Sequence, residues 1–155
     1  MGIKNILQTI RDKVTEVDQV GSVHLYERWA PNFEEYLNYF KCKVDVDGKE
    51  RDVIRGWIVT RTAMAQEWRG VGPGGARTKA HVVVIKGFYS MRDMKRTEAE
   101  FQELIEDVID ALSASKTLAG NWIEPPQVRA IQIREFGGVL CHYCEIEVVV
   151  KEQKS

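Results

Sequence analysis

The sequence predicts an α+β fold: a mostly antiparallel sheet of about four to five strands with two to three helices packed on one face. Three observations predict it. Residues 3–18 and 97–112 repeat apolar side chains at the spacing of amphipathic helices. The other apolar runs are short, rich in β-branched residues and bounded by turn signals, as strands are. The links between successive strands are short, which favours antiparallel pairing and leaves the helices on one side.

In the first helix, Ile3, Ile6, Leu7, Ile10, Val14 and Val17 form the stripe, and Gly21 follows its end. Ser22 to Arg28 reads as a strand. Pro31 suits the first turn of a second helix, where its missing N–H is not needed, and Phe33, Tyr36, Leu37 and Phe40 give that helix an aromatic face. Asp47-Gly48 is a strong type I′ turn signal, joining a strand near Cys42–Val46 to a longer one near Glu50–Thr62.

Ala63 to Lys79 is polar and glycine-rich and reads as a loop that is mobile in an isolated monomer and becomes ordered against a neighbouring subunit or another partner. A strand at Ala80–Tyr89 comes next. Thr97 and Glu100 have capping-box spacing at the start of the last helix, whose stripe is Phe101, Leu104, Ile105, Val108 and Leu112. A loop around Asn121–Pro126 leads to strands near Val128–Phe136 and Val139–Lys151, joined at Gly137-Gly138. In the last strand, alternation places Leu140, His142, Cys144, Ile146, Val148 and Val150 on one face and Glu145 and Glu147 on the other.

The 155 residues suit one domain, 1–155, with no internal repeat and no linker. With 22 basic and 23 acidic residues, net charge −1, the chain is not built to bind by neutralising phosphates, so no nucleic-acid specificity is expected. No apolar run is long enough for a membrane-spanning helix, and no export or myristoylation pattern opens the chain. A cytoplasmic protein with three free thiols is the expectation.

Cys141-His142-Tyr143-Cys144 with a remote Cys42 has the composition of a zinc site. In a strand, however, Cys141 and Cys144 point to opposite faces, so two semi-buried thiols and a core or cross-strand histidine are expected instead. The Gly70–Gly75 run enters a strand pattern rather than a helix, unlike a phosphate-binding loop. No nucleophile elbow or carboxylate pair stands out. No catalytic, cofactor-binding or metal-ligating residue is therefore assigned, and no cofactor is expected.

Charge distribution points to protein contacts. Six acids and no base lie between Thr97 and Ser115, among them Glu103, Glu106 and Asp110. The Ala63–Lys79 stretch carries Trp68, Arg69, Arg77 and Lys79. Solvated surface accounts for part of this charge. The sharper reading joins the two segments across copies in a head-to-tail ring, with Trp68 as an anchor.

Over most of its length the chain resembles the tail-terminator or tail-completion (minor tail) proteins of long-tailed bacteriophages and prophages. The resemblance is carried by Tyr26-Glu27-Arg28-Trp29 leading into an aromatic helix through Phe40, by Gly56-Trp57-Ile58-Val59-Thr60-Arg61, and by His81 to Tyr89 before an amphipathic helix. Pro125-Pro126-Gln127 and Phe136-Gly137-Gly138-Val139-Leu140-Cys141-His142-Tyr143 complete it. It implies a structural virion protein that closes into a homo-oligomeric ring, typically a hexamer, capping the tail tube and helping to join head to tail. Its partners would be itself, the tail tube protein and a head–tail connector or neck protein. Its place would be the virion tail, after assembly in the host cytoplasm. The alternative is a small ligand-binding or enzymatic α+β domain with a site built around His24, His81 and His142.

Overall fold

The structure, a computed structural model, describes residues 2–18, 20–26, 35, 38–46, 49–69, 75–90, 97–136 and 139–154; the side chains of 42–46, 49–52, 69, 136, 139 and 154 lie outside the description. Its elements are α1 (Ile3–Thr15), β1 (Ser22–His24), β2 (Lys41–Val46), β3 (Lys49–Arg69), β4 (Ala76–Ser90), α2 (Thr97–Ser113), β5 (Thr117–Leu118), β6 (Asn121–Ile123), β7 (Gln127–Phe136) and β8 (Val139–Lys154).

The α+β class stands, but among the described residues the sheet has eight strands rather than four or five. Its order is β1-β3-β4-β8-β6-β5, with β2 also paired to β3 and β7 to β8. Among the described residues all pairings are antiparallel except β1 with β3, which the long excursion through β2 makes possible. The helix expected over 31–40 and the Asp47-Gly48 turn lie largely outside the described residues, although Val46 does pair with Lys49 across that turn. The first strand stops at His24, short of Arg28.

Both helices pack on one side of the sheet. Ile6, Ile10 and Val14 of α1 join Phe101, Leu104, Ile105, Val108 and Leu112 of α2 over Trp57, Val59, Val83, Ile85, Ile146 and Val148. Burying each large side chain contributes about 1.5–3 kcal/mol. For α2 this outweighs the like charges on its outer face and the acids near its C-terminus, where the helix dipole favours bases by about 0.3–1 kcal/mol each. Among the described residues Trp57 is the largest wholly buried side chain; its Nε1–H donates to the Val20 carbonyl at 2.9 Å. Its ring lies over Gly87, where a Cβ would come within 2.6 Å of it. A second apolar cluster of Phe40, Ile54, Ile58, Phe88, Cys141 and Tyr143 lies on the opposite face.

Two expected loops hold strands. Ala63–Arg69 and Ala76–Lys79 pair with each other, Ala63 opposite Val82 and Arg69 opposite Ala76, and so extend β3 and β4 as an arm. A bulge at Thr62 marks its root. The expectation of a locally unsupported, mobile loop over Ala63–Lys79 is therefore corrected: the main chain of these segments is held in the ladder, with β8 alongside from Val150 to Lys154. Of the second expected loop, around Asn121–Pro126, the first half is corrected: Asn121–Ile123 is β6, which pairs with β5 through Ala119 (φ 51°) and Gly120 (φ 78°), the paired positive φ of a tight hairpin, while 124–126 remain irregular. An alanine in the first turn position hid it from the sequence reading.

Candidate subunit interface

The arm differs sharply from the rest of β3. Val53 to Val59 are buried apart from half-buried Arg55, whereas every residue from Arg61 to Trp68 is exposed. At about 3.3 Å per residue, Ala63–Arg69 carries the ladder about 20 Å beyond the bulge. Its root is fastened by a polar relay. Arg61 Nη1 lies 3.3 Å from His81 Nδ1, and His81 Nε2 lies 3.2 Å from Glu152 Oε1. Because arginine can only donate, Nδ1 accepts and Nε2–H donates to Glu152. His81 and Glu152 are both buried, so this chain of bonds ties β3, β4 and β8 together where the helix-covered core ends.

Register settles which arm residues share a side. After the bulge, Met64 faces His81, Gln66 faces Lys79 and Trp68 faces Arg77, while Lys79 in turn faces Glu152. His81 lies opposite Val150, which belongs to the helix-covered core, so this row lies on the helix side of the sheet. The Arg77 guanidinium sits 5.1 Å from the Trp68 ring centre, and its Nε is buried with no hydrogen-bond partner among the described residues. Trp68 keeps 44% of its surface exposed even so. Lys79 is half-buried, and the side chain of Arg69 lies outside the description.

Glu103, Glu106 and Asp110 are all exposed on α2, with Glu98, Glu100 and Asp107. The side chains of the expected capping box turn to the sheet: Thr97 Oγ1 is 3.0 Å from His142 Nε2, and Glu100 accepts the Tyr89 hydroxyl at 2.7 Å. Among the described residues no ion pair joins the arm's bases to the acids of α2. Within one chain, then, the structure does not bring the two expected halves of the interface together.

Sequence reasoning missed a third feature. Along β7, Val128, Ile131 and Ile133 pair with Ile146, Cys144 and His142, so they share the helix side. There they are 39%, 46% and 60% exposed, with Leu140 of β8 at 59% beside them. Among the described residues β7 pairs only with β8, leaving its other edge open. The alternation of the strand is visible in the sequence, but an apolar face usually signals core. Only the position of β7 outside the helix layer shows that this face is uncovered. The assignment of Leu140 to a buried face is corrected for the same reason.

Elsewhere in β8 the alternation holds: His142 is buried and stacked on Phe101 at 5.7 Å, while Glu145 and Glu147 are half-buried on the opposite face. Burial lowers the pKa of His142, partly opposed by the nearby Glu98 carboxylate. Cys141 and Cys144 fall in the two different apolar clusters, so they do not converge on one ion. Burial pushes their thiols up to about 11 and about 12, away from the thiolate a metal or electrophile needs. The three histidines do not gather either. His24 Nε2 lies 2.7 Å from the Tyr39 carbonyl at the β1 edge, and His81 and His142 are bonded far apart along the central strands.

No protein-family model matches the chain, and no curated protein matches its sequence.

Proposed function

We propose that this protein is a structural subunit that assembles with copies of itself into a ring, as the tail terminators it resembles do, capping a phage tail tube and contributing to head–tail joining. The observation that carries the reading is the arm: a three-stranded extension of the sheet, fastened at its root by the Arg61–His81–Glu152 relay, that presents Trp68 and Arg77 beyond the helix-covered core. A chain that only had to fold would gain nothing from ordering these exposed residues, whereas a partner surface would return that ordering entropy as contact. The acids of α2 supply the opposite charge for a neighbour, which fixes register and orientation more than affinity. The alternative of a site around His24, His81 and His142 is less well supported, because His24 lies at the β1 edge and His81 and His142 stand eight register positions apart along the β4–β8 ladder.

The test is the native mass of the protein across concentration, alone and mixed with tail tube protein, together with electron microscopy of any rings. Trp68→Ala combined with Arg69→Glu is expected to keep the fold and block assembly. A wild-type chain that stays monomeric at high concentration and ignores the tube protein overturns the reading.

A further inference from the structure

Among the described residues, besides the short outer strands β1, β2 and β5, two longer strand edges lie open at opposite sides of one sheet. One is the outer edge of the arm: β1 pairs with β3 only at 56–58 and β2 only at 49–54, so Ala63–Arg69 has a strand on one side alone among the described residues. The other is the outer edge of β7. Each begins after a bulge, at Thr62 and at Arg129, and the regular segments beyond, Ala63–Arg69 and Ala130–Phe136, are of equal length. Each carries exposed apolar side chains on the helix side of the sheet: Met64 and Trp68 on the arm, Ile131 and Ile133 on β7.

We infer that the arm of one copy adds as a strand to β7 of the next, continuing the sheet from subunit to subunit. This rests on the reading of the chain as a self-assembling subunit and names the surface by which it assembles. Open edges of this kind recruit strands through main-chain hydrogen bonds, with side chains on alternate positions giving specificity. If the two sheets continue with helix sides aligned, full overlap puts Gln66 opposite Ile133 whichever way the added strand runs. Ile131 then faces Trp68 in the antiparallel case and Met64 in the parallel case. One apolar pair then forms directly across the junction, with Ile133 diagonal to it, and water leaves both rows.

Charge supports the same occupant. Glu98 of α2 lies close enough to His142 to act on it electrostatically, and His142 is the register partner of Ile133. The acidic helix thus flanks the β7 stripe, while the incoming arm brings Arg77 and Lys79. A contact between two different patches is heterologous, so it propagates head to tail and closes a ring when the rotation per subunit allows it.

The experiment mixes two single variants, Gln66→Cys and Ile133→Cys, with a short bismaleimide cross-linker; the unsubstituted chain gives the background from Cys42, Cys141 and Cys144. A cross-linked dimer well above background in the mixture, and in neither variant alone, is the expected result. Ile131→Cys paired with Trp68→Cys or Met64→Cys then reads the strand direction. In parallel, Ile133→Asp, at a site exposed enough to keep the fold, is expected to weaken self-association about 30-fold or more. Cross-linking of Ile133→Cys with itself would mean that β7 meets β7, overturning the head-to-tail contact while leaving self-assembly intact. Assembly unaffected by Ile133→Asp and without the mixed cross-link would likewise overturn the inference alone. A chain that never associates would overturn the proposed function with it.

Discussion

Gly87 offers a test of the core geometry on which the arm and β7 depend. It faces Trp57 across the β3–β4 ladder, and a methyl there would lie 2.6 and 2.7 Å from Cζ3 and Cη2 of the indole. The indole cannot easily yield, because it is 1% exposed, bonded through Nε1 to Val20 and packed 6.3 Å from Phe101. Overpacking of this kind costs about 1–3 kcal/mol, against about 0.4–1 kcal/mol that Gly→Ala contributes by restricting the unfolded chain. Gly87→Ala should therefore destabilise by about 1–2 kcal/mol, lowering Tm by about 2–8 °C for a domain of this size. Trp57→Phe removes the outer ring that the methyl would strike. In that background Gly87→Ala should be neutral or stabilising by up to about 1 kcal/mol, even though Trp57→Phe is itself costly. Urea unfolding of the four proteins, followed by near-ultraviolet circular dichroism, closes the double-mutant cycle. An equal penalty in both backgrounds would refute the contact, and with it the stacking of β3 on β4 that sets the arm's register.

Three further outcomes follow from named groups. His142 has a lowered folded pKa, so the unfolded chain takes up its proton first. Its contribution should be complete above about pH 6.5 and lost as pH falls from there toward the folded value; His142→Gln should show a shallower fall over that range in denaturant titrations. Cys141 and Cys144, raised to about 11 and about 12, should resist a thiol reagent at pH 8 in the folded state and react fully in urea. Equal rates in both states would contradict their burial. Glu152→Ala removes the acceptor of a buried His81 bond and should cost about 1–3 kcal/mol. Hydrogen exchange should then quicken first along Ala76–Lys79, and uniform acceleration would mean that the relay does not fasten the arm.

The helices and the central strands were legible because their periodicity is local chemistry. The three- and four-residue spacing from Ile6 to Val14 and from Phe101 to Leu112, and the alternation from His142 to Val150, each mark one side of an element for burial, and those residues are buried. The opposed directions of Cys141 and Cys144 followed from the same strand geometry. Trp68 and the charged segments were likewise visible as composition. Other features were decided by what lies beside each segment. Ala63–Lys79 reads as a loop because glycine and polar residues are weak strand formers. Ala63–Arg69 and Ala76–Lys79 are strand because the long ladder of β3, β4 and β8 supplies main-chain partners that their own side chains do not encourage. The exposure of Val128, Ile131 and Ile133 was not legible, because an apolar strand face reports a common side, not what covers it. The helix layer ends over β8, and that spatial fact turns an apolar strand face into an exposed edge.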